Sequence, residues 1–265
     1  MSTINEWKGK WALVTGASAG IGKALAVELA RGGANLVLTA RRRERLEALA
    51  RELAANYRVK TETVVADLTE ATAPASIFQF TKDKDLRIDL LVNNAGFGQY
   101  GELHKIEVER LLEMVQVNCS AVLHLTRLYL PEMVERRSGD VLIVASTASF
   151  QAVPYMTTYA ATKVFDLYVA EGLAEEMKAY GVRVCALCPG TTTSEFHELA
   201  GHPNHVHGRE QSAETVAKNG LKALAAGKSY VISGLGNYLG AHGQRLAPRR
   251  FVTRIAANIF RPREK

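Results

Sequence analysis

The chain has 265 residues, 47% apolar and 23% charged, which places it among globular proteins and excludes a disordered or low-complexity one. The net charge of +6 is matched by the segment from Arg245 onward, where six Arg and one Lys face a single Glu; the remainder is balanced, which argues against a nucleic-acid-binding body. Three cysteines, an odd number, do not suggest a disulfide framework.

The opening "MSTINEWKGK" lacks the apolar core of a secretory signal, and no apolar stretch approaches the length of a bilayer span, so the expected location is cytoplasmic. The first strand candidate is "WALVT" (11–15), followed at once by "TGASAGIG". A glycine-rich turn leading into a helix lets backbone N–H groups approach a pyrophosphate and aims the positive helix end at it. Strand, loop and helix in this order predict a dinucleotide site at Gly16, Ser18, Ala19, Gly20, Ile21 and Gly22. The second strand, "NLVLT" (35–39), runs into "ARRRER". An NAD site usually carries an acid there for the ribose 2′-OH. Here Arg41 and Arg42 stand instead, Arg41 being the first choice to pair with a 2′-phosphate, so the expected cofactor is NADPH (NADP+).

The next candidates are an amphipathic helix with Leu46, Leu49, Ala50 and Leu53 on one face, and strands "TETVV" (61–65) and "DLLVN" (89–93). From "EVERLLEMV" to "EMVERR" the pattern predicts one long helix of seven or eight turns. "DVLIVAS" (140–146) is a fifth strand, a helix is expected from about Thr157 to Tyr180, and "VRVCALC" (182–188) and "SYVIS" (229–233) complete the strands. The C-x-x-C within "VRVCALC" lies on a strand, where residues i and i+3 face opposite sides, so no metal or redox role is expected. Aliphatic runs alternating with helices predict an α/β fold: a single-domain, Rossmann-like, doubly wound parallel sheet of about seven strands with helices on both faces. On the last predicted helix before "VRVCALC", Tyr159 and Lys163 in "YAATK" are four residues apart and share a face.

"TGASAGIG", "NNAG" (93–96), Asn118, Ser146, "YAATK" and Pro189–Gly190 follow one another in the order and spacing of the classical short-chain dehydrogenase/reductase family, which the chain resembles over roughly residues 8–195. The resemblance implies a catalytic set of Asn118, Ser146, Tyr159 and Lys163. Tyr159 would be the acid/base, its phenol lowered from a value near 10 by the Lys163 cation. Lys163 would also bind the nicotinamide ribose, Ser146 would hold the substrate oxygen, and Asn118 would bind a water leading to solvent. Asn93 would brace the sheet. Asp67 and Leu68 would meet the adenine, Asn94, Ala95 and Gly96 would pass the adenosine ribose, and Pro189, Gly190, Thr191 and Thr193 would meet the nicotinamide end.

Phe150, Val153 and Met156, with Phe196 in a lid over 191–211, would line a mostly apolar substrate site, which suggests a lipophilic ketone or aldehyde, such as a 3-oxoacyl thioester or a steroid-like ketone. The lid histidines His197, His202, His205 and His207 have no common ligand spacing, and no metal is expected. The catalytic domain would span 1–233. Residues 234–265 would form a basic amphipathic extension, with Phe251, Val252, Ile255, Ile259 and Phe260 on one stripe, expected to pack on the domain or a second subunit rather than on a membrane. A homodimer or homotetramer through the helices around 107–135 and 157–180 is implied, with a small carbonyl or alcohol as partner and no nucleic acid. A catalytically idle dinucleotide sensor is the alternative, but it does not explain why all four catalytic positions are kept together.

Overall fold

The computed structural model describes residues 5–193, 195–196, 200–201 and 210–262. Seven short runs rich in aliphatic and β-branched residues become strands: β1 Trp11–Thr15, β2 Asn35–Ala40, β3 Thr61–Val65, β4 Ile88–Asn93, β5 Gly139–Val144, β6 Val182–Cys188 and β7 Tyr230–Ile232. They form one sheet in the order β3-β2-β1-β4-β5-β6-β7, every neighbouring pair parallel. Parallel neighbours require crossovers. These are α1 (Gly20–Arg31), α2 (Arg43–Tyr57), α3 (Ala73–Asp83), α4 (Val108–Val115) with α5 (Ala121–Glu135), α6 (Thr157–Met177) and α7 (Ala213–Ala225). After β7 come α8 (Leu235–Gly243) and α9 (Arg249–Phe260).

The alternation of side chains along a strand divides the core in two. On β1, Ala12 and Val14 pack with Leu25 and Leu29 of α1, Leu46, Leu49 and Leu53 of α2 and Leu221 of α7. Leu13 faces the other way, toward Ile77 of α3, Leu125 and Met133 of α5 and Leu167 of α6. Cys185 and Cys188 on β6 belong to opposite layers, as their spacing predicts. Burial pushes the Cys185 thiol up to about 12, so it stays protonated at neutral pH. At the amino-terminal edge of the sheet the buried Asp140 accepts from Trp7 Nε1 at 2.7 Å and from Arg183 Nε at 2.6 Å. This cluster ties β5, β6 and the N-terminal segment together.

Two elements depart from the sequence pattern. The long helix predicted as one piece is interrupted by a π-helical turn, Gln116–Ser120, between α4 and α5. The turn inserts extra backbone and re-aims Asn118, whose side chain bonds the loop after β4. The stripe predicted on the tail is split. Val252, Ala256 and Phe260 of α9 turn toward the body, whereas Phe251, Ile255 and Ile259 point outward.

Candidate active site

Sheet order reverses between β1 and β4, the place where doubly wound sheets bind ligands at their carboxyl ends. A cleft of about 760 Å³ opens there. Its floor is the glycine loop. Gly16 has φ +65°, and a side chain on it would lie 2.9 Å from the Ala95 Cα. At Gly22 a Cβ would sit 2.3 Å from the Gly16 carbonyl oxygen. The α1 N-terminus has no side-chain cap and no acid in its first turn, so its backbone donors remain available to an anion. Thr15 Oγ1 receives the backbone N–H groups of Asn94 and Ala95 at 2.9 Å each, and Asn94 Nδ2 donates to Thr15 O at 2.8 Å, which locks the β4 loop onto the β1 loop.

The cleft is lined by Gly16, Ser18, Ala19, Gly20, Ile21, Gly22, Arg41, Arg42, Asp67, Leu68, Asn94, Ala95, Gly96, Tyr159, Lys163, Pro189, Gly190 and Thr191, all of them sequence candidates. Thr193 is not among them. Its hydroxyl instead meets Glu210 at 3.0 Å and its N–H bonds Gln211, while the adjacent Thr192 faces the cleft. The contacts with Glu210 and Gln211 hold Thr193 away from the cleft, whereas Thr191 and Thr192 both line it. The two arginines also differ from expectation. Arg42 donates to Ser18 Oγ (3.1 Å) on the glycine loop and pairs with Glu195 at 2.7 Å. Arg41 is more exposed and stands 3.8 Å from Asp67. Arg45, which the sequence pattern did not single out, also reaches Glu195, at 2.6 Å. Asp67 is not a helix cap, since α3 begins at Ala73; its carboxylate accepts from the N–H and hydroxyl of Thr69.

At the other end of the cleft, α6 brings Tyr159 and Lys163 together, with Nζ 6.0 Å from the phenol ring centroid. Ser146, just beyond β5, lines the cleft with Tyr159 and accepts from Ala148 N–H at 3.1 Å. Lys163 Nζ donates to Val144 O and to Asp166 Oδ2, each at 2.8 Å. Desolvation works against the Lys163 ammonium, but Asp166 and Tyr159 outweigh it and raise its pKa above the ordinary value. For Tyr159 the balance runs against the simple expectation. Burial lifts the phenol above 10, and Lys163 and then Ser146 only partly pull it back. Asp166, missed in the sequence, is fully buried, with Oδ1 unpartnered among the described residues. Burial raises its carboxyl despite the lysine.

Asn118 is fully buried behind the wall of the cleft. Oδ1 accepts from Phe97 N–H, and Nδ2 donates to Phe97 O and to Thr162 Oγ1. Both Nδ2 donors are thus engaged, which leaves a water the second lone pair of Oδ1 or the backbone carbonyl. Asn93 Nδ2 braces Thr126 on α5 at 2.9 Å.

Of the substrate candidates, Val153, Met156 and Phe196 line the cleft. The Phe196 ring sits 5.2 Å from that of Tyr159. Phe150 does not line it. Its ring packs on Tyr230 and His242, because the short 3-10 turn Thr147–Phe150 carries it away from the cavity. The tail supplies residues that no motif announced: Gly236, Asn237, Gly240, Ala241 and Gln244 from the α8 region, and Phe260 at the end of α9. Gln244 Nε2 donates to Phe150 O at 2.9 Å, and Tyr100 Oη to Phe260 O at 2.6 Å, fixing this wall. His197, His202, His205 and His207 lie outside the described residues.

A family model described as short chain dehydrogenase matches residues 10–203. Hydroxysteroid dehydrogenase-like protein 1 of Gallus gallus is 37% identical over 224 residues, which is 83% of this chain and 67% of that protein. The very-long-chain 3-oxoacyl-CoA reductase of Bos taurus is 33% identical over 227 residues, 83% of this chain and 70% of that protein. A short-chain dehydrogenase from Sphingobium yanoikuyae, solved in complex with NADPH, superposes with a TM-score of 0.82 at 28% identity, covering 97% of this chain and 98% of that one. The chain belongs to the short chain dehydrogenase family. It is an NAD(P)-dependent oxidoreductase, and the glycine cradle and uncapped α1 terminus fit a nicotinamide dinucleotide.

Proposed function

We propose that this protein is an NADPH-dependent reductase of a lipophilic ketone or aldehyde. The observation that carries the reading is the shared cleft. The glycine cradle and the Arg42–Ser18 contact stand at one end, and Tyr159, Lys163 and Ser146 stand at the other, against an apolar wall of Val153, Met156, Phe196 and Phe260. A reduced dinucleotide, held by the glycine cradle, would supply hydride to the carbonyl carbon. The Ser146 hydroxyl holds the carbonyl oxygen beside Tyr159, and the phenol gives that oxygen its proton. A phenol raised by burial stays protonated at neutral pH, the state that reduction needs. Lys163, fixed by Val144 O and Asp166, keeps a positive charge beside the phenol as the proton leaves. Asn118 would serve a proton path through its backbone carbonyl or the second lone pair of Oδ1, since both Nδ2 donors are spent on Phe97 and Thr162.

Arg42, with Arg45 and Arg41, would bind the 2′-phosphate. The relatives named for 3-oxoacyl-CoA and hydroxysteroids support a lipophilic carbonyl as substrate. Residues 1–233 would form the catalytic domain, with 234–265 closing its substrate side. NADPH oxidation against a panel of ketones, aldehydes and 3-oxoacyl thioesters tests the reading. Tyr159→Phe should lower turnover by about a hundredfold to ten-thousandfold while NADPH still binds. NADPH binding without turnover of any member would favour the sensor alternative.

A further inference from the structure

We propose that the outer face of α8 and α9 docks the protein on an anionic lipid surface. From Gly234 to Pro262 the chain has five arginines (245, 249, 250, 254 and 261) and no acid. All five are exposed, and none pairs with a carboxylate among the described residues. On α9, Phe251, Ile255 and Ile259 recur at i, i+4 and i+8 and are 55%, 45% and 52% exposed. Arg250 and Arg254 run along one flank of this stripe, and along its other flank the helix packs on the body through Val252, Ala256 and Phe260. On α8 the division repeats: Gly236, Asn237, Gly240 and Ala241 line the cleft, whereas Leu235, Tyr238 and Leu239 are exposed. Leu246, between the helices, is 93% exposed.

An apolar stripe edged by arginines is complementary to headgroup anions over acyl chains. A second copy of this chain fits worse. A two-fold contact sets a patch against itself, which would bring the arginines of both copies together with no acid to answer them. A nucleic acid would answer the arginines but leave the apolar stripe in water. The same helices wall the substrate cleft, so docking would set its entrance near the lipid that dissolves an apolar carbonyl. That last link rests on the reductase reading; the docking does not.

Flotation of the intact chain with phosphatidylcholine vesicles, with and without phosphatidylglycerol, tests the proposal. Binding should need the anionic lipid, weaken with salt, and fall at least tenfold in an Ile255→Asp/Ile259→Asp variant. Each arginine lost should lower partition by about fivefold. Circular dichroism and NADPH binding of the variants should match the parent. Flotation that ignores phosphatidylglycerol or the double substitution overturns the proposal. So does a failure to float accompanied by a dimer that the same substitutions dissociate, which would make the face a subunit contact. Turnover of soluble ketones without flotation would reject docking and leave the reductase standing; flotation without any turnover would do the reverse.

Discussion

Asp166 is the residue whose role the motifs did not announce. Its carboxylate tethers Lys163 at 2.8 Å and adds to the upward pressure on Tyr159. Reduction needs the protonated phenol, so its rate should stay flat through neutral pH and fall only where Tyr159 ionises, above its ordinary range. Oxidation of the alcohol should rise with pH over that same interval. Asp166→Asn removes the charge and keeps the shape. Burial still lifts the phenol, but the Asp166 charge no longer adds to it, so the midpoint of the oxidation profile should move to lower pH, with kcat reduced several-fold. An unchanged or upward midpoint would refute the tether. At this scale the sequence was most legible where backbone chemistry demands one residue type, as at Gly16 and Gly22. It was least legible for groups known only by their partners. Asp166 stands three residues after Lys163 on one helix, a spacing that allows the pair but does not single it out, and nothing in the spacing of Phe97 and Thr162 says that they engage Asn118.

The start of α2 makes the cofactor choice an element-level property. Arg42 and Arg45 share one exposed carboxylate, Glu195, and Arg42 also holds the glycine loop. Both arginines hold the Glu195 carboxyl below the usual carboxylate range, so at neutral pH it competes with a 2′-phosphate. Arg42→Ala should lower the NADPH-over-NADH ratio of kcat/KM about tenfold or more. Glu195→Gln should lower KM for NADPH and leave that for NADH alone; equal changes for both cofactors would contradict the assignment. At the amino-terminal end of the sheet, Asp140→Ala would strand the Trp7 N–H and leave Arg183 only Glu6 and the Ala225 carbonyl, and should cost about 2 kcal/mol, read as a lower Tm. The strands and their order of appearance were legible because parallel strands buried on both faces are plain aliphatic runs. The π-helical turn was not, since the apolar period runs through it unbroken and its Asn118 is engaged by a distant loop at Phe97.

For the molecule as a whole, Val108, Leu112 and Leu123 on α4 and α5, and Tyr168 on α6, are large apolar side chains left exposed. We propose that they form the homo-oligomer contact through these helices. Leu112→Glu should reduce the solution mass measured by light scattering without changing the circular dichroism spectrum; an unaltered mass would place the contact elsewhere. No helix among the described residues is long and apolar enough to cross a membrane. How the tail folds back was not legible, because an amphipathic stripe specifies a buried side without naming its partner. Phe260 has a consequence of another kind. The glycine cradle lies near the beginning of the numbering, and the Phe260 wall lies more than two hundred residues later. Inheritance can therefore alter them independently. Changes confined to α8 and α9 can retune which alcohols and ketones are accepted while the nucleotide machinery descends untouched, so relatives alike in their first half need not share a metabolic niche.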